Sequence, residues 1–189
     1  MPMPMPTPRQ FGPVNWLGLW TLYLKEVRRF WNIATQTIAA PVVTTLLFLA
    51  VFALALGSGS VAVAGLPYIQ FLAPGLVMMA MTQNAFANTS STLVIAKVQG
   101  NIVDLLMPPL SPAEQTAALA LGGLTRGLVV GTAVWLSMIP FAGFHVFSPF
   151  FAFYHAVMAS LMLSLLGVLG GLWSEKFDHL AAVTNFIVT

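Results

Sequence analysis

Residues 97–114 read KVQGNIVDLLMPPLSPAE, and this stretch decides the fold, because it is the longest polar interruption after Trp31 and hydrocarbon surrounds it. Two helix starts lie inside it. Asn101 with Asp104 three residues on, and Ser111 with Glu114 three residues on, each pair an N-cap oxygen with an acid at the positive end of a helix dipole. Pro112 takes the first helical position of the second, where a missing N–H is harmless. The first helix must be short. Pro108 and Pro109 lack backbone donors and Pro108 disfavours helical backbone at Met107, so residues 101–107 make one or two turns. Ile102, Leu105 and Leu106 fall at helical spacing on one side, and each contributes roughly 1.5–3 kcal/mol if a partner covers it. The spacing predicts a docking knob made of Asn101, Ile102, Asp104, Leu105, Leu106 and Met107; the plainer reading is a short helix lying back on the bilayer.

Only 6% of the residues are charged and 58% are hydrophobic, whereas soluble domains are about a quarter charged, so this is a polytopic, all-α membrane protein. Seven scattered basic residues form no patch for nucleic acid and act instead as topology signals. With no cysteine there is no disulfide, thiolate metal site or cysteine nucleophile. The Met-Pro repeat within residues 1–14 reads as an extended, disordered tail and not a signal peptide.

Before the loop, residues 15–31 carry Trp16, Trp20, Tyr23, Leu24, Val27 and Trp31 at spacings of three and four, with Lys25, Arg28 and Arg29 gathered elsewhere. That is an amphipathic helix in the membrane surface, indoles at headgroup depth and cations toward anionic lipid. The first span covers residues 33–56, with Pro41 expected to kink it, and residues 57–65 form an uncharged turn. The second span, 67–95, turns polar midway, and Asn84, Asn88 and Ser91 share a face that must point at protein or water. That face is a candidate translocation path or a set of interhelical hydrogen bonds.

After the loop a third span with a cytoplasmic lead-in covers 115–143, with Arg126 near the inner interface and a GxxxGxxxG stripe of Gly123, Gly127 and Gly131 for helix packing. A fourth, 150–173, opens with an aromatic belt, and residues 180–189 start a fifth. The expected architecture is therefore an interfacial helix, four spans and the start of a fifth. All seven basic residues flank one side of these spans, which puts the N-terminus and the loop in the cytoplasm.

No glycine precedes a lysine, so there is no GxxxxGK[ST] loop and ATP hydrolysis has to come from another chain. The three histidines make no ligand pair at helical spacing, no metal is expected, and no GxSxG elbow occurs. Asn88-Thr89-Ser90 matches a glycosylation sequon inside a membrane segment, and reads as chance.

The succession YIQFLAPGLVMM (68–79), NAFANTSS (84–91), AKVQGNIVDLLMPPLSPAE (96–114) and EKFDHLAAVTNF (175–186) resembles the membrane (permease) subunit of a type-2 ABC exporter, close to the branch of the nodulation-factor exporter permease. The resemblance runs from about Trp16 to the last residue, and the middle motif is its most specific part. It implies a six-span subunit of the bacterial inner membrane that dimerises and binds two separate ABC ATPase subunits, which carry the ATP and magnesium. Residues 101–107 then become the coupling helix seated in the ATPase, and residues 15–30 the connecting helix. The chain stops where the fifth span begins, which is expected of a fragment or a truncated gene.

The function read from all this is outward transport of an amphipathic molecule, a lipid-linked saccharide or an apolar drug, without catalysis on this chain. The alternatives are an integral-membrane transferase using Asp104, Glu175 or Asp178 on lipid-linked substrates, and a passive pore or scaffold. Spans free of rings of charge disfavour an ion-selective pore.

Overall fold

The computed structural model describes residues 12–56, 62–63, 66–143, 146 and 148–187. Helices dominate them: α1 Trp16–Trp31, α2 Ala34–Leu56, α3 Tyr68–Val98, α4 Ile102–Leu106, α5 Pro112–Ala142, α6 Pro149–Trp173 and α7 Phe177–Ile187. Between α2 and α3 a two-residue antiparallel pairing, Ala62–Val63 (β1) with Leu66–Pro67 (β2), closes the turn. Most of the expected disordered tail and of the uncharged turn at 57–65 lies outside the described residues.

The helix ends follow local chemistry. At the start of α5 the Ser111 side chain accepts from the Glu114 N–H and the Glu114 carboxylate accepts from the Ser111 N–H, a complete capping box with Pro112 at the first position. Gly143 ends α5 in the left-handed conformation at φ 56°, its N–H on the Ile139 carbonyl. Gly100 (φ 75°) ends α3 in the same way. Its N–H donates to Lys97 (3.1 Å) and the Asn101 N–H to Ala96 (2.8 Å), the paired bonds of a Schellman motif. Lys97 Nζ donates to the carbonyls of Gly171, Leu172 and Ser174, placing a cation on the negative C-terminal end of α6.

α3 is the centre of the bundle, packed on α5, α6 and α2. Glycines bring the backbones together. A Cβ on Gly127 would lie 2.9 Å from the Met81 carbonyl oxygen, one on Gly123 2.8 Å from that of Ala85, and one on Gly131 would collide with the Met81 side chain. From the other side Gly167 and Gly171 of α6 press on the carbonyls of Phe86 and Ser90. Two cores result. One gathers Ala73, Val77, Met81, Val130, Val134 and Met138 where α2, α3 and α5 meet; the other gathers Leu22, Leu93, Leu105, Leu119 and Val168 beside the loop.

Among the described residues three helices are long and apolar enough to cross a membrane: α2 over Ala34–Ala55, α5 and α6. The expected count of four spans and the start of a fifth is therefore not reached on these grounds. α3 has the length, 31 residues or about 46 Å, but its run of amides and hydroxyls between Thr82 and Thr92 dilutes its hydropathy. α2 continues as helix through Pro41, whose carbonyl accepts the Thr45 hydroxyl at 2.6 Å.

Candidate coupling and translocation sites

The loop between α3 and α5 is held by the start of α1. Asn15, buried, caps α1 by accepting the Gly18 N–H (3.0 Å), while its own N–H donates to Glu114 Oε1 (2.6 Å) and its side-chain amide to the Pro109 carbonyl (3.1 Å). α5 at 31 residues is longer than the roughly 30 Å of hydrocarbon requires. At its first turn the Glu114 carboxylate accepts from the Asn15 and Ser111 N–H groups, each at 2.6 Å.

Within the loop α4 presents two unlike faces. Leu105 is 6% exposed and packs with Leu22 and Leu119, Ile102 is half-buried against the same core, and the Leu105 carbonyl accepts the Gln115 amide. Leu106 is 61% and Met107 76% exposed, with Val103 and Asp104 also outward. The single apolar side expected for Ile102, Leu105 and Leu106 is thus corrected: the first two anchor the helix and Leu106 points away. Two local expectations are corrected as well. Asn101 makes no side-chain cap bond: its backbone (φ −93°, ψ 11°) is not the extended form a cap takes, and the Asp104 N–H donates to the Asn101 carbonyl instead (3.0 Å). Met107 keeps helical backbone (φ −68°, ψ −30°) despite the following proline.

The polar face of α3 is wired to two arginines. Arg29 Nη2 lies 2.8 Å from the Asn88 carbonyl, 3.1 Å from Asn88 Oδ1 and 3.1 Å from Glu26 Oε2, and the Thr92 hydroxyl lies 2.7 Å from the same Glu26 oxygen. Glu26 is 1% exposed, and burial on this scale is tolerated because the charge is paired and hydrogen-bonded. Arg126 Nη2 donates to Asn84 Oδ1 (3.2 Å) and Ser91 to the Asn88 carbonyl (3.1 Å). Asn88 is fully buried. Of the three candidate path residues Asn84 lines a crevice of about 230 Å³ between α2 and α3, with Thr44, Thr45 and Gln83, while Ser91 is half-buried. Gly123, Gly127 and Gly131 lie on the seam of α5 with α3, away from it.

Sequence reasoning missed Asn15 and Glu26. Asn15 bonds to residues 94 and 99 positions away, which no local pattern reveals. Glu26 did leave a signal, since it interrupts the stripe Leu22, Glu26, Phe30 at spacing four, with Arg29 three residues on.

The profile of the family described as ABC-2 type transporter matches residues 18–189. The chain belongs to the ABC-2 type transporter family. Inner membrane transport permease YadH from Escherichia coli strain K12 is 36% identical over 174 residues, covering 92% of this chain and 68% of the relative. The permeases of the same name from Escherichia coli O157:H7 and Shigella flexneri match to the same extent. No solved structure matches. This ABC-2 type chain is accordingly a membrane transport permease, and its apolar helices are able to span the bilayer. Among its described residues no three His, Asp or Glu side chains, Asp104, Glu175 and Asp178 included, come together to hold a metal ion. His155 Nδ1 lies 2.8 Å from the Phe151 carbonyl and His179 packs beside Trp173; His145 is outside the described residues.

Proposed function

We propose that this ABC-2 type permease is the membrane subunit of an ATP-driven exporter, on the branch of the nodulation-factor exporter permease, that docks a separate ATPase through the outward face of α4. The observation that carries the reading is the split in α4: Leu105 is locked into the core while Leu106 and Met107, next to it, are left to solvent. An apolar pair held this rigidly on a loop is a ready contact for a partner protein. ATP and magnesium belong to that partner. A second copy of the permease completes the unit.

In this reading α3 crosses the membrane as a fourth span, sheltered by α5 and α6, and α7 begins a fifth. The basic residues put α4 and the N-terminus in the cytoplasm. The path runs along the α2/α3 crevice, where Thr44, Gln83 and Asn84 offer hydroxyl and amide groups between apolar walls. Such a lining suits an amphipathic molecule, a lipid-linked saccharide or an apolar drug, carried outward.

The test is co-purification in mild detergent with the ATPase encoded beside it, comparing wild type with the Leu106→Asp, Met107→Asp double variant. Loss of the ATPase from the variant alone, with the membrane fraction unchanged, is expected. Undiminished recovery of the ATPase with the variant contradicts the proposal. Leu105 is left intact because its substitution would disturb the core.

A further inference from the structure

α1 has three faces where the sequence pattern gave two. Leu22, Glu26 and Phe30 are buried against the bundle. Trp16, Trp20 and Trp31 are exposed on a second face. The third runs through Thr21, Lys25, Arg28, Arg29 and Asn32 along an open groove of about 760 Å³.

We propose that this third face is a binding site for the phosphodiester headgroup of an anionic phospholipid. Arg29 is the fixed point. All three of its hydrogen bonds run through Nη2, to Glu26 and to Asn88 of α3, so the guanidinium is held in place while Nη1 makes no bond among the described residues. A guanidinium anchored at one end and open at the other is pre-organised for a phosphate oxygen. Lys25 and Arg28 stand exposed beside it, and among the described residues neither has an ion-pair or hydrogen-bond partner. Two acids are near. Glu26 is turned inward and taken by Arg29 and Thr92, and Asp104 shares a neighbouring groove with Lys25 without forming an ion pair. The face therefore carries three cations with one neutralised.

The lipid is favoured over a soluble anion by what lies alongside. The exposed indoles form the adjoining strip of the same helix, and indoles settle at headgroup depth, the level of lipid phosphates. The seat rests on the chain's lying in a membrane and not on export, so its failure would leave the exporter reading standing.

The experiment titrates short-chain phosphatidylglycerol or phosphatidylcholine into the purified chain in neutral detergent and follows the melting temperature. Phosphatidylglycerol is expected to raise it at a concentration at least tenfold lower than phosphatidylcholine does. K25Q/R28Q should weaken the phosphatidylglycerol response about thirtyfold, at about one basic side chain's attraction each, and leave the lipid-free melting temperature unchanged. K25R/R28K should keep it. Equal responses to the two lipids, or an undiminished response in K25Q/R28Q, overturn the proposal. Inorganic phosphate alone matching the effect of phosphatidylglycerol would make this a free-anion site and overturn it equally.

Discussion

α2 and α3 lie side by side and solve opposite problems. α2 is apolar throughout and barely covered, with only 11% of its most apolar stretch buried, whereas α3 carries amides and hydroxyls along its second half and is sheathed by α5 and α6. Composition therefore singles out α2 as a span and passes over the helix on which the bundle is built. The lesson is physical: a helix that meets lipid must be apolar, but one covered by protein can keep polar groups wherever each finds a partner. Thr89 to Ser164, Asn88 to Arg29, Thr92 to Glu26 and Asn84 to Arg126 are those partners.

The largest effect that would break this contrast is on the seam. Gly127→Leu must push α5 off the Met81 carbonyl and Ala85 and should cost about 3 kcal/mol in SDS titrations from mixed micelles. Leu54→Ala in α2, at a site 84% exposed, should change the same measurement by less than about 0.5 kcal/mol. If the two cost alike, α3 is not the structural centre.

A smaller effect sharpens the contrast on the polar side. Thr89, fully buried, donates to the Ser164 carbonyl at 2.8 Å, so Thr89→Val should cost about 1 kcal/mol by the same titration. Thr44→Val on the exposed side of α2 should leave stability unchanged while altering the crevice.

How far the sequence discloses this arrangement depends on the reach of each interaction. The box at Ser111 to Glu114 was legible because both partners and the proline lie within four residues. The matching pattern at Asn101 and Asp104 failed because Asn101 follows directly on the Gly100 turn that ends α3 with a backbone (φ −93°, ψ 11°) unlike a cap's, and its carbonyl, not its side chain, takes the Asp104 N–H. The orientation of α4 was not legible, because Leu105 and Leu106 are alike in sequence and only the arrival of α1 and α5 decides which one is covered. Asn15 is the extreme case. It ties the C-terminal end of the loop to α1 across nearly a hundred residues, and no period in the chain announces it.

Under the proposed function α3, polar as it is, crosses the membrane and delivers α4 to the cytoplasm, so its two ends face opposite sides. The chain contains no cysteine, so single cysteines report without background. Pro67→Cys and Val98→Cys, both at exposed positions at the two ends of α3, are treated in intact cells with a membrane-impermeant maleimide. Labelling of Pro67→Cys from outside and of Val98→Cys only after permeabilisation is expected. Labelling of both from the same side would contradict it.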